Sequence, residues 1–459
     1  MKLTRSAVLV VLVSALACAA LLHATASLAD KQASPGRTEP STEHRLADLA
    51  AFRTRFLAKD RSYTPAARTE AERRLAVLEG QAPTVSQPAF ELELARIVAL
   101  ADNGHSHYVF HSISRYYNRV PLRLTVFGED FYVLRAVAAD ADLLGARLTA
   151  IDGHPVSKLR PVVRSLWGGP AALRDRYAFE LLESPELLNT LILAAAPGQA
   201  AYRFVTPAGR TIERSIAGDP PSAARPYGNP EQIMFPERLP LEDANWRTAL
   251  AFDKAPWSLR AYPIRFRSRR APELNAVVLE LRQNSDANGF KIAQVLKQYE
   301  SDIALAKPAN LVVDLRFNGG GDLRTTRAFM QSLPSRVPGK VFVLTSPFTF
   351  SAAIASVGYL KQAAPDRVVI VGEEVGDRLN FFAEGDGVML PNSQAMIGMG
   401  TQRHDYQTGC RPYKDCHSSV VRDPITIASL RPDIAAPWTI EAYLAGRDPA
   451  LEAVAAALR

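Results

Sequence analysis

Three short stretches of the 459-residue chain hold the residue types that acyl-transfer chemistry needs. The first is Asp314-Leu-Arg316-Phe-Asn318-Gly319-Gly320-Gly321-Asp322, which follows the apolar run Leu311-Val-Val. Three glycines at the end of a strand permit backbone angles closed to other residues and expose N–H groups that can face developing negative charge. A plain strand-to-helix turn would use the same residues, and the spacing does not fit a phosphate-binding loop. The second stretch is Thr345-Ser346-Pro-Phe348-Thr349-Phe350-Ser351-Ala352-Ala353, where a strand ends and a helix begins. A serine there commonly caps the helix with its hydroxyl. The same place suits a nucleophile, because the free N–H groups and dipole of the first helical turn stabilise a tetrahedral oxyanion. The third stretch, Gly104-His105-Ser106-His107 with His111 beyond it, supplies imidazoles. A neutral imidazole accepts a serine proton and returns it to a leaving amine, although three such histidines also read as a surface loop or adventitious metal ligands.

Holding these groups in place needs a scaffold, and the composition provides for a large one. With 47% hydrophobic and 22% charged residues the chain is globular and long enough for two or three cores, which excludes disorder and fibrous repeats. The net charge of +7 comes without a long basic run, so no nucleic-acid partner is expected. Residues 45–118 carry helical spacing (Leu46, Leu49, Phe52, Phe56, then Phe90, Leu94, Ile97, Val98) and would present the Gly-His-Ser motif. Residues 119–215 read as a β-rich module. It includes Leu122-Arg-Leu-Thr-Val126, Phe131-Tyr-Val-Leu134 and a tight turn at Asp152-Gly153. Residues 216–275, rich in Pro, Arg and Gly, read as connecting strands and loops. From 276 to 459, apolar strands such as Val277-Val-Leu-Glu-Leu281, Leu311-Val-Val-Asp-Leu315, Val341-Phe-Val-Leu344 and Val368-Val-Ile-Val371 alternate with helical stretches near 289–300, 325–332 and 351–364. That alternation predicts an α/β core with helices packed on a sheet, inside a chain that is α+β overall.

The N-terminus reads as a secretory signal: Lys2 and Arg5, an apolar run from Ala7 to Leu22, then small residues before cleavage near Ala26 or Ala29. The alternative is an uncleaved anchor, for which the apolar run is short. Cys18 follows Ala15-Leu16-Ala17, which lacks the larger aliphatic residue of a lipobox. Loss of residues 1–29 removes Lys2 and Arg5 and no acidic residue, leaving a charge of +5 and a polar leader over 30–44. No later stretch is apolar enough to span a bilayer, so the mature chain is expected to lack a stable membrane span. Cys410 and Cys416 flank Arg-Pro-Tyr-Lys-Asp, a turn-prone segment, and are expected to form a disulfide in an oxidising compartment, the periplasm. Half of a metal site with His404 and His417 is the competing reading, but closed zinc sites use shorter cysteine spacings, so no metal is expected.

Asp314-Leu-Arg-Phe-Asn-Gly-Gly-Gly321, Thr349-Phe-Ser-Ala-Ala353, Val371-Gly-Glu373, Leu390-Pro-Asn-Ser393, Arg431-Pro-Asp-Ile434 and Gly446-Arg-Asp-Pro-Ala-Leu451 occur in the order and rough spacing of one family. They resemble the S41 peptidases, which comprise the tail-specific, C-terminal-processing and tricorn-core serine peptidases. The resemblance covers roughly residues 270–459 well. Upstream, Leu144-Gly-Ala-Arg-Leu-Thr-Ala-Ile151-Asp-Gly-His-Pro-Val156 resembles the end of a PDZ-like module, and Leu100-Ala-Asp102-Asn-Gly104-His105-Ser106 resembles the family's Asp-Gly-His-Thr segment.

The resemblance implies a crotonase/ClpP-like core with Ser351 as nucleophile. The N–H groups of Gly319 or Gly320 and of Ala352 would form the oxyanion hole. The C-terminal-processing branch uses a lysine base, but Arg378 stands at the matching place, and a guanidinium does not give up its proton. The tricorn-like branch uses a histidine, which maps to His105. That branch also carries a glutamate where this chain has Thr426. Glu373 is the expected replacement to orient His105, with Glu374, Asp377 and Asp405 as other candidates. A PDZ-like groove would accept a peptide tail by strand addition, with Arg135 or Arg147 as candidates for its carboxylate if they are not simply solvated. Tyr108, Phe110, Tyr116 and Tyr117 either line a pocket near His105 or pack. The expected activity is a secreted, cofactor-free serine endopeptidase acting on a peptide or protein. The alternative is a non-catalytic binding protein on a degenerate scaffold, since related domains of the interphotoreceptor retinoid-binding protein carry apolar ligands.

Overall fold

A computed structural model describes residues 39–108, 113–221, 230–240, 242–287 and 289–459. The signal-like segment, Cys18, the cleavage positions near Ala26 and Ala29, Phe110 and His111 lie outside the described residues. The first helices, Thr42–Ala51, Pro65–Gln81 and Gln87–Ala99, begin at Ser41, Thr64 and Ser86, whose hydroxyls accept from backbone N–H groups of the first turn. Leu49, Phe52, Phe56, Phe90, Leu94, Ile97 and Val98 are buried as their spacing predicts, whereas Leu46 is 42% exposed.

A seven-stranded sheet follows, entirely antiparallel: β1 (Leu122–Phe127), β2 (Asp130–Val137), β3 (Arg147–Ile151), β4 (His154–Pro155), β5 (Gln199–Val205), β6 (Thr211–Ala217) and β7 (Trp246–Thr248). Its main path runs β1-β2-β3-β5-β6, with β4 on β3 and β7 on β2. Asp152 and Gly153, at φ 44° and 78°, make the turn between β3 and β4. Helices Val156–Arg164, Ala171–Leu182 and Pro185–Thr190 lie between β4 and β5. Arg135 is 1% exposed and ion-pairs with Glu242, its guanidinium also donating to Phe235 O at 2.6 Å and Glu237 O at 2.9 Å. Arg147 meets Asp130 at 3.3 Å on the surface. Both arginines are thus engaged within the chain.

The second sheet has six strands in the order β17-β12-β11-β10-β9-β8, built from β8 (Phe266–Ala271), β9 (Ala276–Leu281), β10 (Asn310–Asp314), β11 (Val341–Thr345), β12 (Val368–Gly372) and β17 (Ile434–Ala435). All neighbours are parallel except β8 on β9. Of two short ribbons, β13 (Asn380–Glu384) with β16 (Gly400–Asp405) packs Phe381 and Ala383 into the core of this sheet, and β14 (Val388–Met389) with β15 (Met396–Ile397) packs Val388 and Ile397 into the core of the first. Strands β9, β10 and β11 are buried on both faces, which explains their unbroken apolar runs. Val277, Leu311, Val341 and their partners pack under helices Ile292–Ala306, Leu323–Ser332 and Ala352–Ala363. The alternate residues Val278, Val312 and Phe342 pack against Ala450 and Val454 of the last helix, Pro449–Ala457.

Candidate active site

Parallel pairing decides where the site forms. Strands β10 and β11 run in register, Asp314 beside Leu344, so the turns leaving their C-terminal ends emerge side by side. The side chain of Arg316 donates to Asp314 at 2.7 and 3.0 Å and to Asp448 at 2.8 and 3.0 Å. All three residues are at most 7% exposed. The charged half of the Asp-Leu-Arg motif is therefore a brace between β10 and the last helix. Asn318, fully buried, ties the glycine turn to the serine turn: its carbonyl accepts from Phe350 N–H at 3.0 Å, and its Oδ1 accepts from Gly320 N–H at 2.9 Å. Gly320 is thereby removed from the set of free donors, while the N–H of Gly319 has no hydrogen bond among the described residues. At φ 107°, a Cβ on Gly320 would lie 2.6 Å from Cβ of Ser351, so only glycine lets the two turns meet.

Ser351 occupies the N-cap position of helix Ala352–Ala363 without acting as a cap. Its backbone sits at φ 55° and ψ −126°, and its side chain accepts no N–H from the helix. An ordinary cap is extended and accepts such a bond, as Ser41 does at 3.2 Å. The N–H of Ala352, first in the helix, has no intrahelical acceptor. Ser351 thus presents a partly exposed hydroxyl beside two unengaged backbone donors, those of Gly319 and Ala352.

His105 arrives from the loop after helix Gln87–Ala99. Asn103 fixes that loop on β13: its Nδ2 donates to Phe382 O and its Oδ1 accepts from Phe382 N–H, both at 2.9 Å. Gly398 N–H donates to His107 O at 2.8 Å from the other side. The imidazole of His105, 16% exposed, stacks between Phe350 at 4.4 Å and Phe381 at 5.1 Å. It therefore lies against the residue that precedes Ser351. His107 turns away and stacks on Trp167 at 5.3 Å. Tyr108 and Tyr117 are buried in the core and Tyr116 packs against it, which leaves packing as their visible role.

The carboxylate beside His105 belongs to Asp377, not Glu373. Asp377 Oδ2, fully buried, lies 3.8 Å from His105 Nδ1. The loop after β12 reaches it by running along the serine turn, with Glu373 N–H donating to Thr345 O at 3.0 Å and Gly376 N–H to Thr349 O at 2.9 Å. A Cβ on Gly376 would meet Pro347 O at 2.3 Å. Glu373, four positions earlier in this irregular loop, points instead into a cavity bounded by Phe127, Phe317, Phe348 and Trp438. Burial there pushes its carboxyl up to about 7, against the Trp438 N–H and the charge of Arg316. Glu374 is exposed and pairs with Arg431 at 3.4 Å, and Asp405 caps its own turn through Gln407 N–H at 2.9 Å. Arg378 pairs with Asp102 at 3.0 Å, latching the Asp377 loop to the His105 loop. Thr426 bonds to Gln362 away from the site. In front of the glycine turn opens a cleft of about 290 Å³, bordered by Arg176, Tyr177, Glu231, Arg265, Arg282 and Phe350.

The roles that the sequence alone did not disclose belong to Asn318, Phe350 and Phe381. Asn318 and Phe350 carried a signal in their places beside the glycines and the serine, and Phe381 carried none.

No family model and no curated protein matches the sequence. Solved structures do. Mature CPAF aligns over 91% of this chain and 96% of its own, at 14% identity and a TM-score of 0.52. Mature CPAF complexed with lactacystin aligns over 91% and 98%, at 14% identity and a TM-score of 0.54. The photosystem II D1 C-terminal processing protease aligns over 90% and 99%, at 16% identity and a TM-score of 0.35. Near-complete coverage by the CPAF structures shows that the chain shares their fold, and three of the motifs that resemble the S41 peptidases, Asp314 to Gly321, Thr349 to Ala353 and Val371 to Glu373, lie at the ends of β10, β11 and β12.

Proposed function

We propose that this protein is a secreted serine endopeptidase that cleaves peptide bonds through an acyl-enzyme on Ser351. The observation that carries the reading is the conformation of Ser351, a non-glycine residue at φ 55° whose hydroxyl caps nothing. Such a sparsely populated backbone conformation costs about 1–3 kcal/mol for a residue with a Cβ and is retained where the surrounding structure imposes it. In the proposed reaction Ser351 Oγ attacks the scissile carbonyl carbon while its proton passes to Nε2 of His105. The carbonyl electron pair moves onto oxygen, where the N–H groups of Gly319 and Ala352 receive it. Collapse expels the amine, which takes the proton from His105 and leaves an ester on Ser351. Water then gives a proton to His105, attacks the ester and releases the acid as Ser351 recovers its hydrogen. Asp377 takes the role first expected of Glu373: its carboxylate faces Nδ1 and favours the tautomer with Nε2 free. No residue of this scheme is a lysine, and Arg378 is both permanently charged and paired with Asp102.

The test is a fluorophosphonate probe on the mature chain, with the adduct mapped by peptide mass spectrometry. The expected adduct sits on Ser351, is absent from Ser351→Ala and forms about 10³-fold or more slowly in His105→Ala. Lactacystin, present in one of the CPAF structures, is expected to compete with the probe. Absence of labelling from pH 6 to 9 would favour the binding-protein reading. Secretion rests on the N-terminal signal pattern and the Cys410–Cys416 disulfide. No helix of the described residues is long and apolar enough to cross a membrane. Export is checked by sequencing the N-terminus of the exported chain, expected at Ser27 or Asp30.

A further inference from the structure

The rings of Phe350, His105, Phe381, His404 and His417 form one continuous column, with successive centroids 4.4, 5.1, 5.1 and 5.3 Å apart. At its far end Glu384, His404 and His417 bring a carboxylate oxygen and two imidazole nitrogens within 4.8 Å of one another. We propose that these three side chains form a binding site for a divalent transition-metal ion of the zinc class, one phenyl ring away from His105.

Each ligand is placed by a separate device. His404 lies on β16 directly opposite Phe381 and is 2% exposed. Its Nδ1 is engaged with the Tyr406 hydroxyl at 3.0 Å, which leaves Nε2 facing Glu384 Oε1 at 3.2 Å. A histidine anchored through one nitrogen and open at the other is the usual arrangement of a metal ligand. Glu384 sits at a break in the β13–β16 register with φ 62°, and bulges of this kind re-aim side chains at functional sites. Its side chain is 41% exposed, so an ion has a path in and the carboxylate has room to close on it. His417 directly follows the loop closed by the Cys410–Cys416 disulfide, which takes both thiols out of the ligand set. Strand-like bonds dock that loop on β16, with Arg403 N–H donating to Asp415 O at 2.9 Å and His417 N–H to Arg403 O at 3.0 Å. The Nδ1 of His417 is buried and has no hydrogen-bond partner.

A plain Glu384–His404 ion pair would account for two of these groups and leave that nitrogen unexplained. Two imidazoles and a carboxylate match the three-ligand sets of zinc, with a fourth position for water, and disfavour calcium or magnesium, which take oxygen ligands. A bound ion would also clamp the ribbon that holds Phe381 against His105.

The test uses the tag-free mature chain after dialysis against a chelator, titrated with Zn²⁺ by calorimetry and with Co²⁺ by visible absorption. One equivalent is expected to bind, with cobalt giving the strong d–d bands of a four-coordinate site. His417→Ala and Glu384→Gln should each weaken binding by about 10-fold or more. Thermal melts of the metal-free variants, matched to wild type, show that the fold is kept. Ser351→Ala should bind the metal as wild type does, so this inference and the peptidase reading stand or fall separately. No binding at up to about 1 mM zinc, or binding that both ligand variants leave unchanged, would overturn it.

Discussion

At the scale of single residues the most informative atoms are those without partners. Both ring nitrogens of His105 and Oδ2 of Asp377 are buried and make no hydrogen bond, with Nδ1 and Oδ2 3.8 Å apart. An unpaired buried polar atom costs about 1–3 kcal/mol, so a fold that keeps three of them together is holding them for another purpose. Contraction of that gap when substrate excludes water would complete the base. Asp377→Asn should therefore leave the fold and KM near wild type while lowering kcat about 10²- to 10⁴-fold, read by steady-state kinetics on a peptide substrate. An equal loss in Glu373→Gln with none in Asp377→Asn would reverse the assignment. Gly320→Ala tests the meeting of the two turns. With φ 107° and Ser351 Cβ at 2.6 Å, the added methyl should abolish probe labelling and lower stability by about 1–3 kcal/mol. Ser351 was singled out by the resemblance of its motif, because as a local pattern a serine between a strand and a helix reads equally as a cap. The choice between Glu373 and Asp377 was not legible, because both lie in an irregular loop with no period to say which carboxylate turns toward His105.

At the scale of elements, the motifs prove to be braces as much as chemistry. Asp314-Leu-Arg316 and Gly446-Arg-Asp448 are far apart in sequence, yet Arg316 joins Asp314 and Asp448, and Asp448 also caps the last helix through Leu451 N–H at 3.2 Å. Arg316→Met would leave two buried carboxylates without their cation and should cost about 3–5 kcal/mol, measured by urea denaturation. A loss below about 1 kcal/mol would mean that the brace is dispensable. The Arg378–Asp102 latch is different in kind, since both side chains are about half exposed, and Arg378→Met should cost at most about 1 kcal/mol. Arg378→Lys placed in His105→Ala should not restore activity, because the new ammonium would be drawn to Asp102 and away from Ser351. Recovery of peptidase turnover in that double variant would show that a lysine base is within reach after all. The alternating strands and helices after residue 276 were readable because strands buried on both faces leave unbroken apolar runs. Between β4 and β5 the helix Ala171–Leu182 was not, because its buried residues, Leu173, Phe179, Leu181 and Leu182 among them, do not keep to one face.

At the scale of the whole molecule, the two large sheets meet at a small cavity of about 80 Å³. Val126 and Phe127 come from the first sheet, Phe317 and Phe348 from the turns of the second, Trp438 from the C-terminal segment, and Glu373 from the loop that leads to Asp377. No local pattern in the sequence announces such a junction. Its lining is gathered from segments far apart in the chain, from Val126 to Trp438. Glu373 makes the junction sensitive to pH. Burial raises its carboxyl from 4.5 to about 7, so the folded state favours the protonated form. A raised acid imposes no penalty while folded and unfolded chains are both protonated, below the ordinary carboxyl range. The penalty grows as pH rises from about 4.5 and is complete above about 7, reaching on the order of 3–4 kcal/mol. Glu373→Gln keeps an oxygen for the Trp438 N–H and removes the charge. Relative to wild type it should be stabilised by that amount at pH 8 and by almost nothing at pH 4.5. Urea denaturation of both proteins across this range isolates the difference from every other titrating group, and parallel curves would show that Glu373 is solvated rather than held in the junction.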